Sequence, residues 1–294
     1  MSRQKVSYGL ALCRYNSKKN NCIEILSIKK RFTYCYFSFI HGFYGNKNIR
    51  NDYRNFAYIK YLFDNMSFQE KLTILSMNYG NMWWHIWLNN PEKGIGMFDN
   101  ISNKILMAEK NINLQNEADG KNYIAQSVND YKIYFKKKNK FEKKFLHDGG
   151  RRLHEIINNS KNCDSIWEIP KGAKNSKETD FDTAIREFAE ETLIAAENYS
   201  LLYHAKPVIL TYKDNGVIYK HIYFLAELNE YGYANKQVMN PKLNFKSYSQ
   251  LSEVADIRWL STSYINMIDM NNKSKKNMLK LYRGVIERFK THKC

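Results

Sequence analysis

No two of the five cysteines (Cys13, Cys22, Cys35, Cys163 and Cys294) stand at CxxC spacing, and their number is odd. That excludes a zinc site of paired thiolates and a disulfide framework, and leaves free thiols in a reducing cytosol as the expectation. No apolar run approaches the roughly 18 residues that a membrane span needs. The opening MSRQKVSYGLALC has too short an apolar stretch for a signal peptide. A soluble, cytoplasmic protein is expected. Acidic residues are the scarcer charge: 29 Asp and Glu face 46 Lys and Arg, a formal charge of +17. Such an excess points to an anionic partner, unless A/T-rich codons have raised lysine together with the also abundant Asn, Ile and Tyr. Placement along the chain has to decide.

The 294 residues are 44% hydrophobic and 15% aromatic, enough for one large core or two small ones and too apolar for a disordered chain. Val6–Arg14 and Cys22–Arg31 alternate around a polar turn at 16–21 and read as a hairpin. From Phe37 to Asn90 the pattern is helical, with Ser67 and Glu70 as a capping box ahead of Leu72, Leu75 and Met77. Met82-Trp-Trp-His-Ile-Trp87 is either the core of a small helical domain or a base-stacking surface. Residues 91–130 are polar with weak periodicity and read as an inserted loop region with room for one helix.

Mixed α and β texture returns at Ser165. Strands are expected at Ile166–Ile169 before Pro170, at Pro207–Tyr212, at Val217–Leu228 and at Ile257–Leu260, with a turn at Lys213–Gly216. A helix is expected over about 180–192. Another covers 273–291, with Met278, Tyr282, Val285, Ile286 and Phe289 on one face.

The positive charge is not spread evenly. Tyr131–Arg152 holds nine Lys and Arg against two acids, and the last helix holds eight against Glu287. Both segments sit on or beside helices with apolar stripes, as in Leu153, Ile156 and Ile157, which favours a phosphate track over codon drift. Lys136, Lys137, Lys138, Lys140, Lys143, Lys144, Arg151, Arg152, Lys276, Lys280 and Arg283 are its candidate residues.

On the helix at 180–192, Phe181, Ile185, Phe188 and Thr192 share one face and are expected to pack inward. Glu187, Glu190 and Glu191 share another, within about 100° of arc. Three neighbouring carboxylates repel, and only Arg186 offers a local cation. Taken alone they form either a solvated acidic face or oxygen ligands for a hard divalent ion, Mg²⁺ or Mn²⁺.

The surrounding spacing favours the second. Gly172, five residues, Glu178, seven residues, then Arg186-Glu187-Phe188-x-Glu190-Glu191-x-x-Ile194 resembles the Nudix box, G-x5-E-x7-R-E-U-x-E-E-x-G-U. One position departs: Leu193 stands where the family has glycine, which bears on the exit from the helix and leaves the carboxylates intact. Under this resemblance Gly172 permits a tight turn, Glu178 pairs with Arg186, and Glu187, Glu190 and Glu191 hold the ions. Glu253 is the candidate for a further carboxylate from outside the box, as base or ligand. Lys171 and Lys174 are candidates to meet substrate beside the box.

More of the chain is similar to the mRNA-decapping Nudix enzymes of large DNA viruses. The shared stretches are Phe37-Ser-Phe-Ile-His-Gly, Met82-Trp-Trp-His-Ile-Trp, Trp167-Glu-Ile-Pro-Lys-Gly, Ala184-Ile-Arg-Glu-Phe-Ala-Glu-Glu-Thr and Tyr219-Lys-His-Ile-Tyr-Phe-Leu-Ala. The resemblance implies an α/β/α sandwich with a mixed sheet, built from residues 1–36 and 160–294, with a mainly helical domain, 37–159, inserted. It implies hydrolysis of capped mRNA to methylated GDP and 5′-monophosphate RNA, acting in a host cytoplasm or carried in a virion; a homodimer is compatible with it. A pyrophosphohydrolase of diphosphoinositol polyphosphates or nucleotides is the alternative, favoured by a compact lysine cluster beside the metal, where a long continuous track favours RNA. A non-catalytic RNA-binding protein is a third reading, supported by Leu193 alone.

Overall fold

The computed structural model describes residues 4–17, 22–44, 52–87, 132–163, 166–214, 217–244, 247–268, 270 and 272–293. The expected loop region at 91–130 and the tip of the turn before Val217 lie outside them. The chain forms two compact units, Met1–Arg31 with Asp164–Cys294, and Phe32–Cys163.

The first unit is built on an eight-stranded mixed sheet. β1 (Gln4–Asn16) and β2 (Cys22–Lys30) are the expected hairpin, paired antiparallel from Cys13↔Ile25 to Asn16↔Cys22. β3 (Trp167–Glu168) joins β2, and β4 (Lys171–Gly172) joins β1. β6 (Val208–Asp214) and β5 (Tyr199–Leu201) pair antiparallel with the first and last parts of one edge of β7 (Val217–Leu228), and β8 (Val254–Leu260) pairs with β2. β7 runs parallel to β1 from Gln4↔Ile218 to Cys13↔Glu227.

This central parallel pair explains the unbroken apolar run in β1. Leu10, Ala11, Leu12 and Cys13 are all fully buried because both faces of the sheet are covered. Ala11 and Cys13 pack with Met278, Leu281, Tyr282, Val285 and Phe289 of the C-terminal helix, Asn272–Lys293. Leu10 and Leu12 pack with Ala184 and Phe188 of the helix Asp180–Thr192.

The inward stripe of that second helix differs from expectation. Thr183, Ala184, Phe188, Glu191 and Thr192 are buried, whereas Phe181 and Ile185 are only partly so. Phe181 instead stacks on Tyr203 and edges onto Phe224. The apolar stripe is thus rotated towards the carboxylates, and one of them goes inside with it.

The second unit is helical: Tyr34–Ile40, Asp52–Asp64, Phe68–Leu75, Tyr79–Trp87, 132–141 and Arg151–Asn158, with a π-helical turn at Glu142–Leu146. Its core is aromatic, Tyr36, Phe39, Phe63, Tyr79, Phe141 and Phe145 among others. The capping box at Ser67 and Glu70 forms, and Glu70 also accepts from the Thr33 N–H and hydroxyl, so one buried carboxylate serves the starts of two helices. In the aromatic knot, Met82 and Ile86 are buried and Trp83 meets Tyr79 and Tyr134, which makes those three packing residues. Cys13 and Cys163 are buried, and Cys22 and Cys35 are half-buried. Among the described residues no helix is long and apolar enough to cross a membrane.

Candidate active site

The segment from β4 to the helix Asp180–Thr192 is a strand, a loop and a helix fixed by its own polar side chains. Thr179 caps the helix with Asp182 as its reciprocal partner. Arg186 clamps Glu178 through Nε to Oε1 at 2.6 Å and Nη2 to Oε2 at 3.1 Å, and also donates to the Ala173 carbonyl. Asn175 and Thr183 donate to the same Glu178 carboxylate. The Arg186 guanidinium holds Glu178 well below the usual carboxylate range. Glu178 is therefore a hub that ties the loop to the helix.

Gly172 is needed for a different reason than the sequence suggested. It lies in extended β4 without a positive φ. A Cβ there would overlap the Glu187 carboxylate, so glycine serves close approach and not a tight turn. At the other end of the helix the family glycine is absent, yet the chain still leaves through the left-handed region: Leu193 has φ 57° and ψ 22°, and its N–H reaches the Ala189 carbonyl at 2.9 Å.

Glu187, Glu190 and Glu191 share an arc but not an environment. Their side chains are 14%, 51% and 4% exposed. Arg186 Nη1 lies 2.8 Å from Glu187 Oε1 and 3.0 Å from Glu190 Oε2. Glu191 accepts the Lys171 N–H on Oε2 at 3.0 Å and the Lys30 ammonium on Oε1 at 2.7 Å. Burial pushes the Glu191 carboxyl up to about 7 despite Lys30, and it raises Glu187 as well.

Lys30 also meets Glu253 Oε2 at 2.9 Å, and Glu168 Oε1 lies 3.5 Å away. Glu253 ends the short helix Tyr248–Glu253 where β8 begins, and a register shift after Lys29 sets Lys30 against Val254. Buried Gln250 from the same short helix donates to the Glu191 carbonyl at 3.1 Å. The structure thus brings Glu253 to the box carboxylates. Among the described residues no three His, Cys, Asp or Glu side chains stand ready as a metal cage, because Arg186 and Lys30 lie between the carboxylates. The donor set, four carboxylates from two elements with two of them partly or wholly desolvated, is the chemistry a hard divalent ion takes.

Two expected contacts are redirected. Lys171 is buried with its ammonium 2.6 Å from Glu168, and Lys174 pairs with Asp180 at 2.8 Å, so both serve the site's own carboxylates. Lys30, Glu168 and Gln250 were missed. Lys30 read as the tail of an alternating strand and Glu168 as one letter of a strand, and no local spacing links either to Glu191.

The basic segments fall in different units. In the helical unit, Phe56, Ile59, Lys140, Lys143, Lys144, His147 and Arg152 line a cleft of about 420 Å³. Lys137 and Lys140 donate to the His41 and Gly42 carbonyls, at 2.5 Å each. Lys138 approaches Glu142 at 3.8 Å. Lys136 and Arg151 are exposed, as are Lys276, Lys280 and Arg283 on the C-terminal helix.

The NUDIX domain family model matches residues 151–282. The chain is 30% identical over 266 residues to the mRNA-decapping protein g5R of African swine fever virus, a match that covers 90% of this chain and 88% of that one. A putative mRNA-decapping protein of Acanthamoeba polyphaga mimivirus is 35% identical over 98 residues, 32% of this chain and 24% of that protein. Among solved structures, a C. elegans Ap4A hydrolase binary complex aligns with 22% identity over 42% of this chain and 77% of that chain, at a TM-score of 0.29.

Proposed function

The chain belongs to the Nudix family of hydrolases, and from that premise we propose that it is a metal-dependent mRNA-decapping enzyme. It cleaves the pyrophosphate linkage of capped RNA, releasing methylated GDP and leaving 5′-monophosphate RNA. The observation that carries the reading is the 30% identity to a viral decapping protein over nearly the whole of both chains. The substrate reaches it in a host cytoplasm.

Glu187, Glu190, Glu191 and Glu253 would hold Mg²⁺ or Mn²⁺. Bound there, the ion offsets the charge of the phosphate oxygens and makes an attacking water more acidic. The chain's own residues do the rest. Arg186 and Glu178 keep the loop and helix in one geometry. The Lys171 N–H fixes one oxygen of Glu191, so the buried carboxylate has a defined direction. Glu253, 59% exposed on its side chain, joins the ligand set from outside the box on its solvent side. The exposed lysines and arginines of 132–152 and of the C-terminal helix contact RNA phosphates beyond the cap.

A second reading takes a diphosphoinositol polyphosphate or a nucleotide as the substrate, since such dense anions also favour a strongly basic protein. One experiment separates the two: release of labelled methyl-GDP from capped RNA in Mn²⁺, with an inositol pyrophosphate as competitor. Release that the competitor does not outpace supports decapping. Hydrolysis of the inositol pyrophosphate alone selects the second reading.

A further inference from the structure

Three carboxylates from three elements surround one ammonium. Lys30 closes β2, Glu168 closes β3, Glu191 lies in the last turn of the box helix, and Glu253 ends the short helix before β8. The contacts to Lys30 are unequal: 2.7 Å to Glu191, 2.9 Å to Glu253 and 3.5 Å to Glu168. Glu168 Oε2 is taken by Lys171 at 2.6 Å, while its Oε1 is buried and has no hydrogen-bond partner. A buried carboxylate oxygen left without a donor is costly, so it marks a place where a donor is expected in another state of the site.

We propose that Lys30 is the internal counter-ion of the site: it gathers Glu191 and Glu253 around one point, and it moves onto Glu168 Oε1 when a divalent ion takes that point. This rests on the metal-dependent reading above. An ammonium and a divalent ion repel at contact distance, so both cannot lie against the same oxygens of Glu191 and Glu253. Without Lys30 those carboxylates would face one another uncompensated in a mostly buried place. With it, the carboxylates stay compensated while the lysine competes with the ion for them, and the shift to Glu168 lets the lysine stay paired after the ion arrives. Glu191 keeps its direction throughout, because the Lys171 N–H holds its other oxygen. Lys30 is a positioning residue, and its effect is on metal affinity first.

The test is calorimetric or paramagnetic titration of the full chain with Mn²⁺ alone, without substrate. Lys30→Met keeps the side-chain length and removes the charge, and it is expected to tighten Mn²⁺ binding by about tenfold, the size of one screened like-charge contact. Glu168→Gln is expected to loosen binding by about threefold, since the displaced lysine loses its charged acceptor, and to have no effect when combined with Lys30→Met. Binding unchanged or weakened in Lys30→Met overturns the proposal, as does an equal Glu168→Gln effect in both backgrounds. If Lys30→Met does not fold, Lys30→Gln makes the same charge change. Wild-type protein that takes up no Mn²⁺, or Glu191→Gln protein that takes up as much as wild type, overturns the metal reading itself and the proposal with it.

Discussion

Around the box helix most charges are answered within the same unit: Arg186 serves Glu178, Glu187 and Glu190, and Lys30 serves Glu191 and Glu253. In the basic segment at 132–152 nine cations meet two acids, and Lys136, Lys143, Arg151 and Arg152 face solvent. The first region stores its electrostatics inside, where low dielectric makes each contact strong and geometry-dependent. The second presents charge outward, where salt screens it and placement can vary. Chemistry that must reach one bond suits the first arrangement, and contact with a long polyanion suits the second.

The largest effect is expected where this contrast is sharpest. Glu191→Gln removes the buried carboxylate of the box helix, so turnover on capped RNA should fall about a thousandfold, the scale of losing one transition-state contact in a closed site. RNA affinity, measured by filter binding, should stay within about twofold because outward lysines carry it. Loss of both together would mean that the two regions are not separate in function.

Much of the first region was legible because its spacing is local. Gly172, Glu178, Arg186 and the three glutamates lie within one strand, loop and helix, and period 3.6 arranges them without help from the rest of the chain. Lys30, Glu168 and Gln250 were illegible because a β-bulge, a strand pairing and a short helix distant in sequence bring them in from elsewhere. The fold was readable for the hairpin, the last helix and β7, whose apolar patterns are strong. Glu191 was read as one of three equals since helical angle alone does not tell which side of an arc meets the sheet. Residues 91–130 have only weak periodicity to read.

His221 tests whether burial in the first unit carries an acid limit. Burial, with Lys171 nearby, pulls its pKa down to about 4, and its ring nitrogens are paired with Ser7 and the Tyr212 hydroxyl. The folded pKa lies below the unfolded value, so the unfolded state binds the proton more readily. Stability from this group is then complete above about pH 6.5 and is lost as pH falls towards 4, by up to about 3 kcal/mol. Denaturant midpoints of wild type and His221→Gln across pH 4–7 should converge as pH falls. Parallel curves would assign the acid limb to other groups.

The outward region yields a smaller and more selective effect. Replacing Lys136, Lys137 and Lys138 with glutamine should raise KM for capped RNA about tenfold at low salt and flatten its salt dependence by up to about two units of slope, since each phosphate contact contributes roughly 0.7 on a single strand. KM for a free cap dinucleotide should not change. A matched rise on both substrates would place these lysines in folding or at the bond being cut, and not along RNA. Lys137, which donates to the His41 carbonyl, is the one whose loss also touches packing, so Lys136→Gln alone is the cleaner control.

The smallest effect comes from the one box position that departs from the family, and it sharpens the comparison from the stability side. Leu193 ends the helix in the left-handed region, where a side chain with a Cβ is strained by about 1 kcal/mol or more and glycine is not. Its side chain is 43% exposed, so little buried area opposes the change. Glycine costs some unfolded-state entropy, which offsets part of the relief. Leu193→Gly should therefore stabilise the chain by up to about 1 kcal/mol in denaturant titration. Turnover should be unchanged, because Gln250 and the Lys171 N–H hold the last turn of the helix from outside the exit. A gain in turnover with no gain in stability would show that the exit itself, and not the internal charge clamps, sets the carboxylate geometry.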